Sequence, residues 1–318
     1  MTATGRVLRA RDRALPLGRR TYVMAILNLT DDSFSGDGAG DDLDEAVRRA
    51  VRAEADGADI IDVGAESARA DVPARQPGVE AALVAEAVRR IRRECSLVVS
   101  VDTYKGAVAA AALQAGAHVI NDIGGLLEDD ATARAAATHG AALVINYTVE
   151  RPKVRPAAPP RYDDLLGAHR AFFSAALGRA RAAGVRDDAI VLDPGIAFGK
   201  SHDEDIDVLR RLPELRGLGY PLLVAASRKH FIASVLRGVP AAERDAATVA
   251  VTALAVAGGA DIVRVHEVRA NVQAARIADA IVRGRTGDYA ATPGSWPWAA
   301  GATPEPGTRI GEERGERA

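Results

Sequence analysis

Eight short runs rich in β-branched residues recur along the chain, each followed by a longer segment of helical character. The runs fall at 22–28 (YVMAILN), 59–64 (DIIDVG), 97–102 (LVVSVD), 118–122 (HVIND), 142–147 (ALVINY), 190–193 (IVLD), 221–226 (PLLVAA) and 261–266 (DIVRVH). They are continuous and apolar, as expected of strands buried on both faces of a parallel sheet. Asp44 to Asp56, Ala168 to Ala183 and Asn271 to Arg283 put apolar residues on one helical face and arginine on the other. Gly57, Gly116, Gly140, Gly184, Gly219 and Gly259 each stand just before a strand, where a helix ends and a residue tolerant of positive φ is needed. Eight βα units in about 250 residues is the count for a (β/α)8 barrel, more than a doubly wound sheet usually holds. The fold class is therefore α/β, a single-domain (β/α)8 TIM barrel spanning 21–284, with no boundary inside it.

The ends read differently. Residues 1–20 form an N-terminal extension rich in arginine, but Asp12 and Pro16 spoil the amphipathic pattern of a targeting peptide. Residues 285–318 hold four prolines and a charged end, and read as a disordered tail in which Trp296 and Trp298 could anchor on the body. Lys plus Arg is 41 against 43 for Asp plus Glu, which argues against a globally basic nucleic-acid binder. No run free of charge exceeds 16 residues, too short for a membrane span. Cys95 is the only cysteine, so an intrachain disulfide and a cysteine metal site are excluded, and a reducing, cytoplasmic setting fits.

In a barrel of this kind chemistry collects at the C-terminal ends of the strands, and here those ends are polar. They carry Asn28, Asp62 followed by Glu66, Ser67 and Arg69, then Asp102, Asn121 with Asp122, Asn146 and Asp193. Ser227, Arg228 and Lys229 follow strand seven, and Arg264 and His266 end strand eight. One such residue is readily a helix cap or a turn former. Eight polar ends converging on one mouth need partners, which a ligand can supply. Arg69, Lys229, Arg264 and His266 are cationic donors suited to phosphate. Asn28 with nearby carboxylates suits the Mg²⁺ that accompanies a pyrophosphate. Asp193 and Asn121 suit a planar heterocycle with adjacent N–H donors. Neither a Cys/His cluster nor a Ser-His-Asp constellation is readable. Gly195 to Ser201 (GIAFGKS) is one residue short of a Walker A loop and precedes an acidic run, so it is set aside.

Seven ordered segments resemble motifs of the dihydropteroate synthase family: MAILNLTDDSFSGDG (24–38), GADIIDVGAES (57–67), SVDTYK (100–105), INDIGG (120–125), LDPGIAFGK (192–200), SRKHF (227–231) and GADIVRVHEV (259–268). The resemblance implies a barrel that joins 6-hydroxymethyl-7,8-dihydropterin diphosphate to p-aminobenzoate. By matching motifs, Asp102, Asn121, Asp193 and Lys229 would hold the pterin, with Asp102 and Lys229 the catalytic pair. Asn28, Arg69, Arg264 and His266 would hold the diphosphate, with Mg²⁺ at Asn28. Phe198 would flank the aryl ring, and the loop around Asp32 to Asp37 would close over the site. A homodimer through helices on the barrel exterior is also implied.

The acceptor side departs from the family pattern. Ala68 and Ala70 stand where Thr and Pro are usual, and His230 replaces a Ser that helps hold the acceptor carboxylate. Asn146-Tyr147-Thr148 replaces His-Met-Arg, and Asp31 a common Pro. A synthase with a re-tuned pocket is the main reading, His230 then serving the carboxylate as cation or donor. The alternatives are a pterin-diphosphate-binding homologue with another acceptor, a non-catalytic folate-pathway partner, and a pterin-binding methyltransferase domain working with a corrinoid protein. Ser-Arg-Lys at 227–229 and Phe-Gly-Lys at 198–200 favour the synthase over the last.

Overall fold

A computed structural model describes residues 6–30, 42–67, 72–154 and 160–284. The tail at 285–318 and the loop at 32–37 lie outside these residues. Eight parallel strands form the barrel: β3 (Tyr22–Asn28), β4 (Ile60–Gly64), β5 (Val98–Asp102), β6 (Val119–Asp122), β7 (Ala142–Asn146), β8 (Ile190–Asp193), β9 (Leu223–Val224) and β10 (Ile262–Val265). Sequential neighbours pair from β3 round to β8, while β10 lies between β3 and β9. A parallel bridge between Leu192 and Leu222 joins β8 to the start of β9 and brings the ring to closure. The seventh run reads as six residues of strand, but only Leu223 and Val224 are assigned to it. Pro221 has no N–H to give, and its carbonyl instead receives Leu192 N at 2.9 Å.

The connecting helices are α1 (Leu43–Ala55), α2 (Pro77–Glu94), α3 (Gly106–Ala115), α4 (Ala131–His139), α5 (Leu165–Ala182), α6 (His202–Arg210), α7 (Leu212–Arg216), α8 (His230–Val235), α9 (Asp245–Ala257) and α10 (Val268–Arg283). Their ends follow from local chemistry. Asp42 caps α1 by accepting from Asp44 N and Glu45 N, both at 3.0 Å. Ser201 and Glu204 form a reciprocal capping box on α6. Gly116 closes α3 at φ 111°, a left-handed turn into β6.

Strand alternation divides the apolar residues into two cores. Val23, Ala25, Leu27, Ile61, Val63, Val99, Val101 and Leu143 face the helices. Tyr22, Met24, Ile60, Val98, Val144, Val191, Leu223 and Ile262 face inward and fill the lower barrel. That inner core is sealed by an element the sequence reading did not see. Within the N-terminal extension, β1 (Val7–Ala10) and β2 (Arg13–Pro16) form an antiparallel hairpin. Its Leu8, Ala10 and Leu15, with Leu17 just beyond, are buried against the inner residues. The lower half is thus packed with apolar side chains, and the inward positions higher up are left for chemistry.

Candidate active site

The same alternation that fills the lower barrel points Asp62, Ser100, Asp102, Asn121, Asp193 and Arg264 inward above it. Over them opens a cavity of about 550 Å³. Of the residues expected to bind ligand, Asn28, Asp102, Phe198, Lys229, His230, Arg264 and His266 line it. Asn121 and Asp193 are each 3% exposed and sit behind that lining. Arg69, with Ala68 and Ala70, lies outside the described residues.

The floor is a charged network. Arg264 donates from Nε to Asp62 Oδ2 at 2.6 Å and from Nη2 to Asp102 Oδ2 at 2.8 Å. Asn121 Nδ2 donates to Asp62 Oδ2 at 2.9 Å, which sets the orientation of its amide. Two of the donors of Arg264 are therefore committed to carboxylates, and its remaining N–H groups are those open to a ligand. Burial pushes the Asp102 carboxyl up to about 7, against the pull of Arg264 and with the help of Asp62. Burial likewise raises Asp193 to about 6, opposed by the N–H of Gly195. Lys229 is held below its ordinary value by burial and by Arg264. Its Nζ lies 5.0 Å from the Phe198 ring centroid and has no hydrogen-bond partner among the described residues. Asp62 Oδ1 and Ser100 Oγ are also buried without one. Of these, Lys229 lines the cavity, where a polar ligand can complete it.

Phe198 is presented by a tight loop after β8. Gly195 (φ 66°), Ala197 (φ 66°) and Gly199 (φ 64°) are all left-handed. At Gly195 a Cβ would come within 1.9 Å of the Tyr147 carbonyl oxygen, so only glycine fits. Asp193 Oδ1 accepts from Gly195 N at 2.7 Å, and Asp205 from Ala197 N at 2.9 Å. Lys200 Nζ donates to the carbonyls of Gly195 at 2.5 Å and Phe198 at 3.0 Å. The lysine of the near-Walker segment thus holds its own loop together. At the other edge, the ring Nδ1 of His266 and Ser227 Oγ lie 2.9 Å apart.

The acceptor side explains several departures. Asn146 does not line the cavity; its amide donates to the carbonyls of Ile123 and Tyr147, both at 3.1 Å. Tyr147 stacks on His169 with centroids 3.7 Å apart. Thr148 to Val154 then form a wall of the cavity, and Lys153 Nζ ties that wall to the β4–α2 loop through the carbonyls of Ser67 and, at 3.0 Å, Val72. His230 is exposed at the mouth, its pKa lowered by partial burial and by Arg244, His202 and Lys229. A neutral imidazole donor is therefore the form it offers at neutral pH.

Sequence reasoning named Glu66 only as a strand-end residue and missed the network around it. Lys105 Nζ pairs with Glu66 and, at 2.6 Å, with Glu80, while Tyr104 OH donates to Glu66 at 2.8 Å. This knot bolts the loops after β4 and β5 to α2. No local signal joins positions 66, 80 and 105.

The comparisons agree with the geometry. Residues 24–266 match the pterin binding enzyme family. A dihydropteroate synthase of Synechocystis sp. is 42% identical over 273 residues, covering 84% of this chain and 92% of that protein. The Bacillus subtilis dihydropteroate synthase is 40% identical over 276 residues, 87% of this chain and 94% of its own. Among solved structures, Yersinia pestis dihydropteroate synthase with a sulfonamide drug superposes with a TM-score of 0.81 at 38% identity, covering 86% of this chain and 98% of that one.

Proposed function

This chain belongs to the pterin binding enzyme family, as a dihydropteroate synthase, and from that premise we propose how its residues divide the reaction. The enzyme is a transferase of folate biosynthesis. It joins 6-hydroxymethyl-7,8-dihydropterin diphosphate to p-aminobenzoate and releases diphosphate.

Asp193 accepts adjacent N–H groups of the pterin, with the Asn121 amide beside it, and Lys229 Nζ donates to ring acceptors. The observation that carries this assignment is Lys229, a half-buried ammonium facing the cavity without a hydrogen-bond partner among the described residues. Asn28, His266, Arg69 and the uncommitted N–H groups of Arg264 take the diphosphate. As diphosphate leaves, positive charge grows on the pterin methylene, and the Asp102 carboxylate stabilises it while the cationic donors stabilise the anion. Phe198 flanks the aryl ring of p-aminobenzoate and His230 donates to its carboxylate. The aryl amine is neutral at pH 7, so positioning and electrostatics are the main demand on the protein.

Mg²⁺ fits as a companion of the diphosphate. Among the described residues no three His, Cys, Asp or Glu side chains gather to hold an ion, whereas the Asn28 amide oxygen is a neutral donor at the cavity edge. An ion held largely by phosphate oxygens and water needs little more from the protein. It would supply charge neutralisation to the leaving group.

A homodimer is supported by the outer face of α9 and α10, where Leu254 is 71% and Ile281 78% exposed, with Ile277 beside them. A cytoplasmic setting is supported by the lone Cys95; no helix among the described residues is long and apolar enough to cross a membrane.

Calorimetric titration with the pterin diphosphate, with and without Mg²⁺, tests the assignment. Lys229→Ala and Asp193→Ala should each abolish measurable binding, and omission of Mg²⁺ should weaken it. Wild-type affinity in both variants would remove the pterin from this cavity.

A further inference from the structure

Lys229 reaches the cavity because the turn before it is bent in an unusual way. Arg228 has φ 57°, the left-handed region that a non-glycine residue enters only when its surroundings hold it there. Three side chains around the start of α9 do the holding. Arg244, 6% exposed, donates from Nη1 to the carbonyl of Arg228 at 2.8 Å and to that of Lys229 at 3.5 Å. Its Nε donates to the carbonyl of Val239 at 2.7 Å. Asp245 receives Arg228 in a two-pronged pair, Nε at 2.7 Å and Nη2 at 2.8 Å. Thr248 Oγ1 accepts from Arg228 N at 3.1 Å and donates to the carbonyl of Arg244 at 3.0 Å. Arg228, Arg244, Asp245 and Thr248 do not line the cavity. They grip the backbone on which Lys229 is mounted.

We propose that Arg244 is a positioning residue for the pterin end of the reaction: by fixing the carbonyls of Arg228 and Lys229 it keeps the Lys229 ammonium aimed into the cavity. The planar guanidinium spans three carbonyls from two of its nitrogens, a fork that the single ammonium of a lysine does not reproduce. The proposal rests on the reading of Lys229 as a pterin ligand. It makes α9 part of the active-site scaffold, although its side chains stay clear of the cavity.

The test compares Arg244→Met, Arg244→Lys and Thr248→Val with Lys229→Ala in steady-state kinetics, with pterin diphosphate binding measured by calorimetry. A misplacement near an ångström can cost about a hundredfold, so Arg244→Met should raise KM for the pterin diphosphate by roughly 10- to 100-fold. KM for p-aminobenzoate should rise far less, by no more than a few-fold, since His230 follows Lys229 directly but its side chain is not held by Arg244's fork. Arg244→Lys should recover only part of the loss, and Thr248→Val should show a smaller loss of the same kind. If Arg244→Met does not fold, the other two variants carry the test. An equal rise in both KM values, or a lowered melting temperature with unchanged pterin affinity, would overturn the proposal. Should Lys229→Ala itself bind pterin normally, the assignment of Lys229 has failed, and the clamp then has nothing to position.

Discussion

Replacing Asp102 by asparagine isolates the electrostatic step. Asn keeps the shape, and its carbonyl oxygen can still accept from Arg264 Nη2, now 2.8 Å from Asp102 Oδ2. Arg264 also keeps Asp62 at 2.6 Å, so the floor should survive. What disappears is a negative charge in a water-poor site, beside the carbon that becomes positive. Removing one preorganised group of this kind costs about 3–4 kcal/mol of transition-state stabilisation, or roughly 10²- to 10³-fold in kcat. The wild-type pH profile provides a second reading. Burial places the Asp102 carboxyl at about 7, and the ionised form is the active one, so activity rises with pH. The rise should fall in the range where this raised carboxyl loses its proton, well above the pH at which an exposed aspartate ionises. Dihydropteroate formation at saturating substrates across that range measures both effects. Asp102→Asn should be slow and flat with pH. A variant within a few-fold of wild type, or one that keeps the same acid limb, would refute the role given to this carboxylate.

Other consequences are as specific. Pterin affinity should fall as pH drops through about 6, because Asp193 must be ionised to accept two N–H groups; calorimetry from pH 5 to pH 8 would show it, and a flat profile would contradict it. Lys105→Met leaves Glu66 and Glu80 buried without their cation, and urea denaturation should show a loss of about 3–5 kcal/mol. His118 is 1% exposed and held down to about 4 from 6.5, chiefly by burial, with Arg92 adding to it. The unfolded chain takes up that proton near 6.5 and the folded chain only near 4, so acidification through this window favours unfolding, by about 3 kcal/mol at its end. His118→Gln should flatten that part of the stability profile.

Much of the fold was legible because parallel barrel strands are short apolar runs punctuated by glycine. Strand bounds such as 22–28 and 190–193 needed no correction. The hairpin at residues 7–16 was missed because its two strands are four residues each and split by arginines. The alternation of Leu8, Ala10, Leu15 and Leu17 was its signal. Strand-end polarity pointed to Asn28, Asp102, Lys229 and Arg264, which the structure brings to one cavity. What it could not show was pairing. That Arg264 binds Asp62 across 202 positions, or that Arg244 reaches back to Arg228, depends on barrel closure and loop packing, to which no local pattern is tied. The departures after β7 looked like changes in ligand contact. For Asn146 the structure shows a loop anchor instead.

One measurement bears on the central claim most directly. Purified protein, pterin diphosphate, Mg²⁺ and p-aminobenzoate are combined, and dihydropteroate and diphosphate are quantified together. Equal amounts of both products, lost together in Lys229→Ala, are the predicted result. Pterin binding with diphosphate release but no dihydropteroate would contradict it, and would mean that this cavity serves a different acceptor.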